Sequence, residues 1–386
     1  MKEAPIICLA SWYPNEIDFF EGDFIQRKLK ALSFYRPVQV LHLKKCTHEK
    51  WNKKISKNQM GLLEETIYYK KGGSGIFNQI KNYWYSFKIH NIFLKNYIST
   101  FGQPKAILVQ VPYNAGIIAL YWKKKYGIDY ILTEHYGIYN DRYELNYSTR
   151  SSIYKFIVKQ IIKNAKKFIT VSHSLASDIE KIVIKKEYTK ISNVVDTNLF
   201  QHKVKPQTDP FIFCHLSNMI PVKNIPGIIR AAKTLADQNI NFKLNLIGGE
   251  NIPQQKLAEE LNLKDKFIFF QPPIPYEQVA KELQRSHALI MFSNTESQSC
   301  ISLEALCTGT PVISSRAGGI EEHLDESNSI LVELKDEEAL ARSMLEMIRN
   351  YDRFNQEEIA FKNQALWNYN QIGKEYNQLI KDVLSQ

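Results

Sequence analysis

Short runs rich in Val, Ile, Leu and Phe recur along this chain, separated by stretches in which apolar residues return at helical spacing. Continuous apolar runs of this kind predict buried parallel strands at Ile6–Ala10, Val38–Leu43, Ala106–Val111, Tyr130–Thr133 and Lys167–Val171. A second series is predicted at Phe211–His215, Lys243–Ile247, Phe267–Phe270, Ala288–Phe292 and Pro311–Ser314. Strands alternating with helical patterns imply an α/β protein whose parallel sheets are covered on both faces, and two series imply two Rossmann-like domains. Periodicity lapses between Asn193 and Thr208, in NVVDTNLFQHKVKPQT, which places the expected boundary there. The last pattern, Trp367 to Leu384, predicts an amphipathic helix with Ile372, Tyr376, Leu379 and Val383 on one side. No internal repeat or low-complexity tract interrupts the scheme.

A length of 386 residues exceeds one ordinary core and agrees with two domains. Hydrophobic content of 44% and charged content of 23% belong to a soluble globular protein. No apolar run approaches the ~20 residues of a membrane span. The opening Ile6–Ala10 run is too short for a secretory signal, so a cytoplasmic location is expected. Five scattered cysteines without a C-x-x-C pair argue against a disulfide framework and against a structural zinc site. The net charge of +10 is uneven: residues 1–190 hold 31 Lys and Arg against 15 Asp and Glu, whereas residues 191–386 hold 19 against 25. The basic half should meet something anionic.

Chemistry concentrates in FSNTESQSCISLEALCTGTPVISSRAGGIEEHL, Phe292 to Leu324. It reads as a strand end, a polar loop with Glu296, a helix holding Glu304 and closed by Thr308-Gly309, and a second strand. Loops at the carboxyl ends of parallel strands bind ligands, and a helix starting near Ser299 offers unpaired N–H groups to an anion. Carboxylates there suit sugar hydroxyls, although a solvated strand-end acid and a helix-surface acid would give the same spacing. Gly22 and Asp23 precede a helix with Ile25, Leu29 and Leu32 on one face, a place where backbone can approach a phosphate or simply turn. His135 follows a strand in TEHYG, and Glu134 beside it suits either acid chemistry or capping.

The segment around Glu296 and Glu304 resembles the E-x7-E signature of retaining GT-B glycosyltransferases of family 4, together with EAL-x-x-G-x-PVI and A-GG-I-x-E (Ala317, Gly318, Gly319, Ile320, Glu322). The resemblance implies that Glu296 contacts the donor sugar and Glu304 the ribose of the nucleotide. It implies that His135 reaches the donor sugar, that Gly22 belongs to the loop near the diphosphate, and that the backbone at Ser299, Cys300 and Ile301 faces donor hydroxyls or phosphate. HLSNMIPVKNIPG resembles the family's G-R-(x)4-K-G motif: Lys223 matches the phosphate-binding Lys, but Asn218 stands for the Arg and Ser217 for the Gly. One of two expected phosphate cations is missing, with Arg316 as a candidate replacement. Glu21 stands where a second Gly often does, and the usual E-G-(x)-G form is replaced by Glu296-Ser297-Gln298-Ser299. FITVSHSLASDI resembles the segment entering a helix with Ser172 or Ser174 as N-cap. NVVDTNLF resembles the N-G-V-D hinge, with Val194 for Gly.

The implied architecture is GT-B: an acceptor-side domain over residues 1–195, a nucleotide-sugar domain over 196–365, and a terminal helix over 366–386 that crosses back to the first. The implied reaction moves a sugar from a nucleoside diphosphate onto an acceptor hydroxyl with retained configuration, the acceptor being a lipid-linked or polysaccharide precursor at the inner membrane face. No D-x-D pair sits at a strand end, so no metal and no other cofactor is expected. From Ile80 onward, Trp84, Phe87, Leu94 and Ile98 approximate one helical face while Lys81, Lys88 and Lys95 recur every seven residues, which suits an anionic membrane surface as well as an ordinary core helix. A basic nucleic-acid binder is the competing class for such a charge, but no RNP, zinc-finger or helix-turn-helix signature is present. Epimerase or phosphorylase chemistry on the same fold, and transfer to a soluble acceptor, remain the alternatives.

Overall fold

The structure is a computed structural model that describes residues 3–46, 54–59, 61–70, 75–205, 209–249 and 251–385. The first sheet contains β1 (Ile6–Ala10), β2 (Val38–Cys46), β3 (Lys54–Gln59), β4 (Leu62–Lys70), β5 (Ala106–Gln110), β6 (Asp129–Glu134), β7 (Lys167–Thr170) and β8 (Thr189–Lys190), in the order β3-β4-β2-β1-β5-β6-β7-β8. The second contains β9 (Phe211–Ser217), β10 (Phe242–Gly248), β11 (Ile268–Gln271), β12 (Ala288–Met291), β13 (Val312–Ser315) and β14 (Ser329–Val332), in the order β11-β10-β9-β12-β13-β14. Among the described residues every pairing is parallel except β3 with β4. Chain order reverses beside β1 in one sheet and beside β9 in the other, and crevices open at the carboxyl ends of strands at such points.

The helices of the first sheet are α1 (Asp23–Ser33), α2 (Ile76–Phe101), α3 (Ala115–Tyr126), α4 (Ser152–Asn164) and α5 (His173–Ile182). Those of the second are α6 (Ile225–Asp237), α7 (Ile252–Glu260), α8 (Tyr276–Arg285), α9 (Cys300–Cys307) and α10 (Glu337–Arg349); α11 (Gln356–Trp367) and α12 (Tyr369–Leu384) close the chain. Ser172 is the N-cap of α5, its hydroxyl accepting from Leu175 N at 3.1 Å.

The predicted terminal helix is α12, which starts two residues later than the apolar pattern suggests. Trp367 ends α11, and the Asn368 side chain caps α12 by accepting from Gln371 N at 2.8 Å. A capping Asn has extended backbone, so the chain bends where the apolar pattern runs on. α12 lies on α1 of the other domain, and Gly373 permits the approach: a Cβ there would stand 2.3 Å from Ala31 O. Arg36 Nε donates to Asn377 Oδ1 at 2.7 Å, and Tyr376 is buried against Gln110 and Thr133. Val195 N donates to Trp367 O at 2.9 Å, which ties the crossing to the connection between sheets. Val194, buried, lies outside the positive-φ residues, so this connection does not require the glycine of the family pattern.

β3, β4, β8 and β14 were not predicted by the apolar pattern. β3 is an edge strand whose Ser56 to Gln59 are exposed, and an edge strand needs no apolar face. β4 hides two acids: Glu64 is buried where it accepts from Tyr13 Oη at 2.7 Å and Gln26 Nε2 at 2.6 Å. α2 also turns differently from its expected face. Phe93, Leu94 and Tyr97 are buried, whereas Trp84 is exposed and shares the outer face with Ile80, Ile92, Lys81, Lys88 and Lys95. Positions 81, 84, 88 and 95 fall within one helical stripe, so aromatic and lysines travel together.

Candidate active site

A cleft of about 530 Å³ lies between the two sheets, at the carboxyl ends of β1, β6, β9 and β12. His135, Asn218, Lys223, Glu296, Ser299, Cys300, Ile301 and Glu304 all line it. A larger cavity of about 830 Å³ sits at the hinge, between Lys30, Asp196 and Tyr369, away from all of these residues.

Glu296 is held by backbone before its side chain meets anything. Its N–H donates to Ala317 O at 2.8 Å and its carbonyl accepts from Gly319 N at 3.0 Å. The two glycines after Ala317 have a steric reason, since a Cβ on Gly319 would lie 1.8 Å from Ser297 O. The side chain then accepts from Lys223 Nζ at 2.6 Å and Ser293 Oγ at 2.7 Å. Lys223 ends a one-turn 3-10 helix, Pro221–Lys223, fixed by Asn294 N donating to Val222 O at 2.7 Å. Its charge is therefore shared with Glu296 rather than free in solvent.

Glu304 lies one turn into α9 and is buried. It accepts from Tyr276 Oη at 2.9 Å and meets Arg27 Nη2 at 3.5 Å. Burial raises its carboxyl to about 7, against the opposing pull of Arg27. Arg27 comes from α1 of the other domain, pairs with Asp23 at 2.6 Å and lies over the Tyr276 ring at 4.4 Å. Ser299, the N-cap of α9, has φ 58° and leaves the first amides of that helix open to the cleft.

His135 Nε2 lies 2.9 Å from Gln110 Oε1, and Gln110 Nε2 donates to Tyr376 Oη at 2.9 Å. The amide thus presents an acceptor to the imidazole, which fixes the tautomer with the proton on Nε2. Nδ1 keeps its lone pair and is buried beside the Asn193 side chain. Burial, with Lys28 adding to it, holds the imidazole well below its usual pKa, so it is neutral. Glu134 turns the other way. It accepts from the N–H groups of His135 and Tyr136 at 2.8 and 2.9 Å and from Tyr139 Oη, so it shapes the turn that aims His135.

Gly22 caps α1 with φ 67°, and a Cβ there would lie 2.8 Å from Trp12 C and O. Close approach of backbone to backbone explains it; Asp23 and Phe24, and not Gly22, line the cleft. Arg316 is a correction. It is half exposed, 3.3 Å from Glu321 and 3.2 Å from Glu333, outside the cleft, because its strand-end position points it at the acidic turn that follows. Sequence reasoning missed Arg27, Tyr276 and the Gln110–Tyr376 pair, none of which has a local motif. It also missed Gln298, which bridges domains by accepting from Asn193 N at 2.8 Å and donating to Ser192 Oγ. A second cavity of about 390 Å³ shares Trp12 with the cleft and is lined by His42, Lys44, Tyr83 and His90, between β2 and α2.

The family profile described as "Glycosyl transferases group 1" matches residues 196–365, and that described as "Glycosyltransferase Family 4" matches residues 63–199. Together they run unbroken over most of the chain. The protein belongs to the group 1, family 4 glycosyltransferases. Its architecture is that family's GT-B fold. A sucrose-phosphate synthase from Thermosynechococcus elongatus superposes with TM-score 0.81 at 20% identity over 99% of both chains. The Anabaena protein HepE, solved in complex with UDP, superposes with TM-score 0.66 at 15% identity, again over 99% of both. In sequence, this family 4 chain is 27% identical to the N-acetyl-alpha-D-glucosaminyl L-malate synthase of Bacillus anthracis, over 51% of this chain and 58% of that protein. It is 27% identical to a D-inositol 3-phosphate glycosyltransferase of Corynebacterium urealyticum, over 40% of this chain and 39% of that protein. The matched segments span less than two thirds of these relatives.

Proposed function

We propose that the protein transfers a hexosyl group from a nucleoside-diphosphate sugar to an acceptor hydroxyl with retention of anomeric configuration. One observation carries the reading: Glu296, bonded to Lys223, and Glu304, one turn into α9, face one interdomain cleft with His135 across from them. Each finds a task there. Lys223 and the open amides at Ser299 to Ile301 stabilise the leaving diphosphate as charge develops, Asn218 adds a neutral hydrogen bond, and protein groups rather than a divalent ion supply this field. Glu304 and Tyr276 accept and donate to the ribose hydroxyls. Glu296 and the neutral Nδ1 of His135 accept from sugar hydroxyls. Glu296 is engaged by Lys223 and Ser293, so attack from the face that the diphosphate leaves suits the site better than a covalent intermediate on Glu296. The HepE complex with UDP supports a uridine donor as the first to try.

The acceptor enters from the first domain, through the cavity that shares Trp12 with the cleft. α2 forms one wall of that cavity with Tyr83 and His90, and its outer face carries Trp84, Ile80 and three lysines. Among the described residues no helix is long and apolar enough to cross a membrane. A basic, aromatic outer face on the wall of the acceptor cavity suits a lipid-linked acceptor met at an anionic bilayer, with the protein bound peripherally. Incubation with radiolabelled UDP-hexoses, with and without membrane lipid extract and with EDTA present, tests the reading. Sugar should pass into lipid-extractable product regardless of EDTA; product confined to soluble acceptors would remove the membrane part, and loss of transfer in EDTA the metal-independent part.

A further inference from the structure

The nucleotide-sugar reading leaves the cleft short of positive charge. A diphosphate leaving group needs neutralisation, and the family's second cation is Asn218 in this chain. Lys223 is shared with Glu296. Among the residues lining the cleft, Arg27 is the other Lys or Arg. It stands one turn along α1 from Asp23 and reaches Glu304, one turn into α9, so its guanidinium lies between the N-terminal ends of two helices. Two of its nitrogens are committed, Nη1 to Asp23 and Nη2 to Glu304, but Nε is buried and has no hydrogen-bond partner. Ser299 Oγ, at the start of α9, is in the same condition. A guanidinium is a poor group to bury with a donor unpaired, because an unmade bond to a charged group is costly. Its flat face is already supported by Tyr276 at 4.4 Å, and Nε, on the same edge as the Nη2 that meets Glu304, is the donor left for an anionic partner.

Resting on the nucleotide-sugar reading, we propose that Arg27 is the second phosphate-binding cation of this enzyme, supplied by the acceptor-side domain in place of the arginine replaced by Asn218. Arg27 then binds a phosphate oxygen of the donor through Nε while keeping Glu304 in place for the ribose. The source of the cation has a consequence for motion. Lys223 and Glu304 sit on the second domain and Arg27 on the first, so diphosphate bridges the two sheets and its binding favours the closed cleft. A nucleoside, which has no phosphate, makes no such bridge.

Calorimetry of the full chain with UDP, GDP, ADP and the matching nucleosides decides the matter. The nucleoside diphosphate that binds wild type most tightly should lose roughly tenfold to hundredfold in affinity with Arg27→Gln, the range for a charge-assisted hydrogen bond, while its nucleoside changes less than threefold. Arg27→Lys should retain part of the affinity, and adding Asn218→Arg to Arg27→Gln should restore most of it. Thermal unfolding of each unliganded variant guards against a folding defect, and Arg27→Lys alone keeps the proposal testable if Arg27→Gln does not fold: it should weaken diphosphate binding at least about threefold while nucleoside binding stays unchanged. Equal losses for nucleoside and diphosphate, or no rescue by Asn218→Arg, would reduce Arg27 to an interdomain strut. Wild type that binds none of the three diphosphates would overturn the nucleotide-sugar reading itself.

Discussion

Glu296 and Glu304 divide the work by what touches them, and their variants should separate accordingly. Glu296→Gln is expected to lower turnover by two orders of magnitude or more while nucleoside-diphosphate affinity stays within about threefold, since the proposed reaction places it on the sugar and not on the phosphates. Glu304→Ala should instead weaken nucleotide binding in calorimetry. Glu304 also makes a pH prediction. Its buried carboxyl is raised from 4.5 to about 7, and Glu134 likewise to about 7 by burial. The folded protein holds these protons more tightly than the unfolded chain, so stability is full below about pH 4.5 and falls as pH rises through about 7, with a slope of up to about 1.4 kcal/mol per pH unit per group. Urea denaturation from pH 5 to 8 should show this decline, and Glu304→Gln, which cannot ionise, should flatten it. At this scale the signature residues were legible because chemistry fixes both type and spacing. Arg27 was not, for it reaches Glu304 from 277 positions away in sequence. Arg316 misled because position after a strand gives the neighbourhood of a side chain and not its direction.

Most strands and the two-domain plan followed from apolar periodicity, because parallel strands buried on both faces read as continuous runs. The elements that escaped are the ones with polar duties: β3 at the edge and β4 with its buried Glu64. α12 was legible as an amphipathic helix, but its start was hidden by Trp367, which belongs to α11. Gly373→Val tests its docking. The added side chain meets Ala31 O, and overpacking of this sort costs about 1–3 kcal/mol, so the variant should unfold at lower urea and be cleaved faster near Asn368 by a nonspecific protease. An unchanged midpoint would mean that α12 is not held tightly on α1. For α2, replacing Lys81, Lys88 and Lys95 together by Glu should abolish sedimentation with anionic vesicles; each basic residue near such a surface contributes about 1 kcal/mol and the attraction decays over about 8 Å at physiological salt. Equal sedimentation of both proteins with zwitterionic and anionic vesicles would confine α2 to a structural role.

On the scale of the molecule, the proposed reaction gives the basic first domain the task of meeting an acceptor and the acidic second domain that of holding a nucleotide. Their contact is specific: Glu322 Oε1 accepts from Ser174 N at 2.8 Å, Gln298 bridges to Asn193, and Arg27 reaches Glu304. The family pattern made the fold and the motif-bearing side of the cleft readable, whereas the cavity between β2, α2 and α3 was signalled only by the basic and aromatic residues of α2, because it is assembled without a sequence motif. The central claim is that this cleft breaks the bond between a sugar and a nucleoside diphosphate and passes the sugar on with its configuration kept. Its most direct test follows the anomeric carbon by NMR, using donors labelled there with carbon-13 across UDP-, GDP- and ADP-hexoses in the presence of membrane extract. One α-linked donor should be consumed, nucleoside diphosphate should be released, and the label should reappear in an α-glycoside, with Glu296→Gln at least a hundredfold slower. Release of a β-glycoside, no consumption of any donor, or a Glu296→Gln variant as fast as wild type would contradict the account.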